Sequence, residues 1–355
     1  MKNPFTTSFG TQQVREFGLI EVKNDEGVTG WGECVTSREP LYIEEFTESS
    51  LLMVEKFLAP LVLENSINHP DELEALFKPF KRNNLAKSSI EGAIWDLYAK
   101  ENNISLAEAL GGVQSNVEVG VSLGIESDIN VLLNNIEEKV EEGYKRIKVK
   151  IKPGKDVDVV DQIRQKYPEI PLMVDANSAY TLEDTELLRK LDNYNLMMIE
   201  QPLASGDIID HAHLQNKIKT PICLDESIHS YDDVRQAIEM GSCKIINLKV
   251  GRVGGLTQSK KIHELCKENN IPLWCGGMLE SGIGRAHNIA ITSLENFTLP
   301  GDTASSSRYW HKDIITPEVV VKHGVLEVPN GAGIGYEVNM DEVLKNTTDK
   351  ITIKK

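Results

Sequence analysis

Five charged residues recur at nearly constant spacing through the middle of the chain: Lys150, Asp175, Glu200, Asp225 and Lys249, separated by 25, 25, 25 and 24 residues. That interval is about the length of one strand and one helix with two short loops. Each closes a short apolar run: residues 146–150 (RIKVK), 172–175 (LMVD), 197–200 (MMIE), 222–225 (ICLD) and 245–249 (IINLK). A charge at the end of a buried strand is costly unless something needs it there. In a closed parallel barrel the C-terminal strand ends converge on one face, so these groups would form one cluster, three carboxylates flanked by two ammoniums. The pattern reads as a metal site with a base on either side.

From residue 117 onward the chain alternates strand and helix. Candidate strands are 119–124, 146–151, 172–175, 197–200, 222–225, 245–250, 272–275 and 297–300, with helical patterns such as 128–142 and 259–268 between them. Eight strands is the count that closes a barrel. Before residue 113 the order is that of an α+β unit: strands at 17–23 and 29–32 joined by a turn at 24–27, then helices at 43–64, 71–80 and 88–100. After Pro317 short β-like runs return, and this last part is expected to rejoin the N-terminal unit. The expected domains are therefore residues 1–112, 113–317 and 318–355.

Lys and Arg total 38 against 54 Asp and Glu, a formal charge of −16. No basic stripe exists to track phosphates, which argues against nucleic acid and against an anionic membrane surface. No stretch approaches the uninterrupted apolar length of a membrane span, and residues 1–10 contain no apolar signal core. The five cysteines are odd in number, scattered and never in CxxC spacing, which favours reduced thiols and a cytoplasmic location.

Asp175, Glu200 and Asp225 are hard oxygen ligands on successive strands, a set that Mg²⁺ accepts while keeping positions open. The plainer alternative is that each is a helix N-cap following a strand. Asn177 and Glu226 supply polar groups just beyond them. Lys148 and Lys150, two apart, point the same way, into the barrel if Lys150 does, with Ile147, Val149 and Ile151 facing an outer apolar layer. A solvated edge strand is the other reading of such a pair. Lys249 faces the same cavity from four strands away, so two lysines across a metal would address opposite faces of one carbon. Such a set suits proton removal beside a carboxylate, with a metal stabilising the enediolate. The glycine runs 251–255 and 276–285 offer backbone N–H groups to a substrate anion or are tight turns; His211 and His213, without HExxH spacing, read as polar groups of a surface helix.

These residues resemble the enolase superfamily, and the KxK strand with a second lysine is similar to its muconate-lactonizing subgroup. Residues 3–11 (NPFTTSFGT), 30–36 (GWGECVT), 199–203 (IEQPL), 221–228 (PICLDESI), 274–280 (WCGGMLE) and 299–303 (LPGDT) are similar to the o-succinylbenzoate synthases, in the branch that also holds N-succinylamino acid racemases. The resemblance implies a (β/α)7β modified TIM barrel with an α+β capping domain. It implies Asp175, Glu200 and Asp225 as Mg²⁺ ligands, with Mn²⁺ able to substitute; Lys150 as acid/base; Lys148 as its electrostatic partner; and Lys249 as the opposite lysine. Phe5, Ser37, Ser122, Asn177, Gly276 and Met278 would contact a small carboxylate substrate. Dehydration to 2-succinylbenzoate is the activity it implies first, racemisation of N-succinylamino acids the second. A silent binding barrel is disfavoured because every expected charged group is present, and a homo-oligomer is the expected assembly. Relatives begin with an extra strand before the segment matching residues 3–11, so a start lying upstream or a cap sheet without an edge strand, with a looser lid, is expected.

Overall fold

The structure is a computed structural model of the 355-residue chain that describes residues 1–2, 4–7 and 10–355, with the side chains of residues 5–7, 10 and 11 outside the description. Short hairpins open the chain: β1 (Phe5–Thr7) pairs β2 (Gly10–Gln12), and β3 (Gly18–Lys23) pairs β4 (Thr29–Cys34). The helix Asn84–Glu101 lies against β4 because Gly30 and Gly32 let the backbones approach. A Cβ on Gly32 would stand 1.9 Å from Ser89 O, and one on Gly30 2.1 Å from Ala93 O. The helix expected from residue 43 begins at Thr47, since Phe46 is extended and the Ser49 hydroxyl accepts from its N–H. Residues 37–46 are thereby left as a loop leading toward the barrel.

After β5 (Asn116–Glu118) come seven parallel strands in sequential order: β6 (Val121–Leu123), β7 (Ile147–Lys150), β8 (Leu172–Asp175), β9 (Ile199–Glu200), β10 (Ile222–Leu224), β11 (Ile245–Leu248) and β12 (Leu273–Cys275). The expected eighth strand, 297–300, is not a regular strand. Its place is taken by residues 296–302, which bond on one side to Leu273 and Cys275 and on the other to Glu118 and Gly120. Pro300 has no N–H to give, so a continuous ladder cannot form there, yet the ring closes.

Strand alternation sorts the side chains. Ile147, Val149, Val174, Ile199, Leu224, Ile246 and Leu248 point outward into the main core beneath the helices. Met173, Met198, Cys223, Ile245 and Trp274 form a separate apolar layer. The first four each stand two residues before an inward polar group: Asp175, Glu200, Asp225 and Asn247 respectively. The barrel thus has a greasy floor under a charged tier.

Two carboxylates from the N-terminal unit fasten it to the barrel. Glu33 accepts from Ser281 N (2.9 Å) and Gly284 N (2.9 Å) at the start of the helix Gly282–Thr292. Glu91 accepts from Leu256 N (2.8 Å) and Thr257 N (2.7 Å) at the start of Leu256–Glu268. The first of these helix starts lies within the glycine run 276–285 and the second directly after 251–255, so these N–H groups, the ones a substrate anion would use at a helix start, are taken by the protein's own carboxylates. Burial pushes both glutamates up to about 7. Near the C-terminus, β13 (Ile315–Thr316) pairs β15 (Glu337–Val338), and β14 (Val325–Glu327) pairs β5. Gly333 bonds Ile104 and Leu106, and Ile334 N donates to Asp96.

All five cysteines are buried and unpaired. No helix among the described residues is long and apolar enough to cross a membrane.

Candidate active site

The register of the parallel strands decides what meets at the barrel mouth. Lys150 is level with Asp175, and Asp175 with Glu200. Glu200 is level with Cys223, which puts Asp225 two residues farther up; Asn247 is level with Asp225 by the same ladder, and Lys249 lies two beyond that. Because both offsets are even, every one of these side chains stays on the inner face.

The two lysines lie on opposite flanks of the carboxylates. Lys150 Nζ is 2.5 Å from Asp175 Oδ2 and 2.6 Å from Asn177 Oδ1. Lys249 Nζ is 2.9 Å from Asp225 Oδ2 and also donates to the Tyr42 hydroxyl. Lys148 Nζ lies 3.1 Å from Glu200 Oε2, 3.7 Å from Asp175 Oδ2 and 2.9 Å from Asp302 Oδ2. Lys150 keeps 22% of its side chain exposed against 5% for Lys148 and 10% for Lys249, which makes it the ammonium most open to a bound molecule.

The charges are strongly coupled. Burial would lift Asp225, but Arg252 and Lys249 hold it well below the usual carboxylate range; burial would depress Lys249, but Asp225 and Tyr42 hold it well above its ordinary value. Asp302 is likewise held low against burial by Arg146 and Lys148. Glu200 goes the other way, pushed up to about 8 by burial and then by the charge of Asp175.

Among the described residues no three His, Cys, Asp or Glu side chains are placed to grip one ion. Each of the three carboxylates is instead turned to a lysine or arginine, which supplies neutralising charge. The donor set still suits a hard divalent cation. Besides burial, the charges of Asp175 and Asp225 both disfavour the ionised form of Glu200, a repulsion that a bound cation would relieve. Glu226 Oε2 and Asn247 Oδ1 are buried beside it without a hydrogen-bond partner.

The expected substrate contacts distribute unevenly. Asn177 joins the cluster: its N–H reaches Asp175 Oδ1 at 2.9 Å and its amide reaches Glu226 Oε1 at 2.9 Å, at a backbone φ of 41°. Gly276 lies under Lys249, where a Cβ would stand 2.3 Å from Asn247 Oδ1 and 2.8 Å from Lys249 Cε. Ser122 donates to Asp302 at 3.3 Å. Ser37 and Met278 are tied together through Arg15, whose guanidinium reaches Ser37 Oγ (3.0 Å) and Met278 O (3.1 Å). The side chain of Phe5 lies outside the described residues. His211 corrects its surface reading: it is buried, with Nε2 accepting from Leu203 N at 3.1 Å.

Several members were not singled out from sequence. Tyr42 descends from the 37–46 loop, Arg252 clamps Asp225 Oδ1 at 2.6 Å, and Asn247 donates to Glu200 Oε1 at 2.8 Å. Gln201, at φ 38°, accepts from Asp225 N and Ser227 N through one oxygen and so fixes the strand end that carries Asp225. A cavity of about 250 Å³ borders this side, lined by Leu41, Tyr42, Glu226, His229 and Arg252. A larger one, about 890 Å³, lies at Lys139, Tyr144, Arg308 and Lys322, and none of the strand-end charges lines it.

Residues 1–111 match the family described as mandelate racemase / muconate lactonizing enzyme, N-terminal domain, and residues 132–343 the enolase C-terminal domain-like family. The chain is 58% identical to an o-succinylbenzoate synthase of Geobacillus kaustophilus, over 98% of this chain and 92% of that one. It is 44% identical to an N-succinylamino acid racemase of Thermus thermophilus, over 98% and 94%. The crystal structure of an enolase superfamily member from Listeria innocua superposes with a TM-score of 0.95 at 44% identity, covering 98% and 94%. With both halves matched and such relatives along nearly the whole length, the chain belongs to the enolase superfamily, among the o-succinylbenzoate synthases and N-succinylamino acid racemases.

Proposed function

We propose that this chain catalyses the syn dehydration of 2-succinyl-6-hydroxy-2,4-cyclohexadiene-1-carboxylate to 2-succinylbenzoate, a step of menaquinone biosynthesis. The observation that carries the choice is that the relative at 58% identity bears the synthase name, whereas the racemase stands at 44%. Superfamily membership implies a divalent metal; the oxygen-only donor set of Asp175, Glu200 and Asp225 supports Mg²⁺, with Mn²⁺ as substitute. When bound, the metal would stabilise the charge that gathers on the substrate carboxylate as the neighbouring proton leaves.

The chain's own residues account for the rest. Lys150, in its neutral form, takes the α-proton as the C–H bond breaks. The electron pair moves into the carboxylate and then back to form the ring double bond as the C–O bond breaks. Lys150 returns its proton to the departing hydroxyl on the same face, giving water and the aromatic ring. Lys148 holds positive charge beneath the carboxylates, anchored by Glu200 and Asp302. Lys249, held by Asp225 and Tyr42, stands as a cation beside the opposite ring face.

One observation favours a second activity on the same residues. Lys150 and Lys249 flank a single cluster, the arrangement that racemisation of an N-succinylamino acid requires, one proton carrier per face. The reading is tested by incubating the purified chain and Mg²⁺ with the cyclohexadiene substrate and following 2-succinylbenzoate by mass and absorbance. Conversion at enzymic rates is expected; racemisation without any dehydration would overturn the first choice in favour of the second.

A further inference from the structure

Asp302 lies on the segment that closes the barrel. Its carboxylate is shared among three donors: Arg146 at 2.7 Å on Oδ1, Lys148 at 2.9 Å on Oδ2, and Ser122 Oγ at 3.3 Å. Arg146 and Lys148 are two residues apart, and each lies 4.7 Å from the centroid of the Trp274 ring. The Lys148 ammonium is at the same time 3.1 Å from Glu200 Oε2 and 3.7 Å from Asp175 Oδ2. One cation therefore stands between Asp302 on one side and two candidate metal ligands on the other. An ammonium and a divalent ion cannot both own those oxygens, because they repel at such distances and compete for the same lone pairs.

We propose that Asp302 is a positioning residue that sets divalent-metal affinity, by sharing the Lys148 ammonium with Glu200 and Asp175 and so weakening its hold on their oxygens against an incoming ion. The inference rests on the reading of Asp175, Glu200 and Asp225 as ligands. Arg146 makes the arrangement durable. It occupies the other Asp302 oxygen and Pro300 O at 3.0 Å, so the carboxylate cannot swing away with the lysine. Without Asp302, the carboxylates left within 4 Å of Lys148 Nζ among the described residues are the two ligands themselves.

The test is calorimetric titration of the metal-stripped full chain with MgCl₂, with no substrate present. Asp302→Asn is expected to weaken Mg²⁺ binding roughly 10- to 100-fold. Arg146→Met combined with Asp302→Asn removes the buried pair together, leaves the net charge of the site unchanged and strands no guanidinium, so it serves if the single variant does not fold. The same loss is expected for it. In a Lys148→Gln background, Asp302→Asn should change the dissociation constant by less than about threefold, because the residue through which Asp302 acts is gone. Wild-type affinity in the charge-neutral pair variant, or an undiminished loss in the Lys148→Gln background, would overturn the role of Asp302 alone. Failure of the wild-type chain to bind Mg²⁺ would overturn the ligand reading and this inference with it.

Discussion

Lys150→Ala is expected to lower kcat for dehydration on the order of 10,000-fold, because in the proposed reaction one amine both removes the α-proton and returns it to the leaving hydroxyl. The fold should survive the change. Asp175 loses its 2.5 Å partner but keeps Lys148 at 3.7 Å and the N–H of Asn177 at 2.9 Å, and Lys150 is the most exposed of the three lysines. A loss in kcat at saturating Mg²⁺ with unchanged thermal unfolding would place the effect on proton transfer. A variant that dehydrates near the wild-type rate would remove Lys150 from that role.

Exhaustive chelation is expected to abolish turnover, and added Mg²⁺ to restore it, with Mn²⁺ an effective replacement. The physical reason is the crowding of three buried carboxylates, Asp175, Glu200 and Asp225: burial first, and then repulsion by the charge of Asp175, lifts Glu200 to about 8. A divalent ion relieves that repulsion and would release the ammoniums now turned to the carboxylates. Binding to the native state alone should also stabilise the chain, by roughly 2.7 kcal/mol at a hundredfold excess over the dissociation constant. Thermal unfolding with and without Mg²⁺ reads this independently of activity. Full turnover after chelation would contradict the metal-dependent account.

The barrel and its charged mouth were legible because a βα unit has a nearly fixed length and a strand has period two. The spacing from Lys150 to Lys249 reports the first, and Ile147 and Val149 alternating with Lys148 and Lys150 reports the second. Spacing alone does not reveal the register steps at β10 and β11, where Asp225 and Lys249 each rise two residues above the partner of the preceding charge. The inward direction survived only because those steps are even. Tyr42 was not legible, since it sits on a loop without periodicity and reaches Lys249 by tertiary approach. Arg252 was read as part of a glycine-rich turn, although a lone guanidinium in such a run is itself a signal. Asp302 obeys the same rule as the five recurring charges, a charge just past the end of a barrel segment, and applying that rule to 297–300 would have found it. His211 was misjudged because helical spacing does not say which side of a short helix faces the core.

In the proposed chemistry Lys150 and Lys249 address opposite faces of one carbon. Solvent deuterium incorporation into each enantiomer of an N-succinylamino acid, measured with Lys150→Ala and Lys249→Ala, tests it most directly. Each variant should exchange the α-hydrogen of one enantiomer only, the two variants acting on opposite enantiomers, and neither should racemise. Equal exchange of both enantiomers by both variants would contradict the assignment of one lysine to each face.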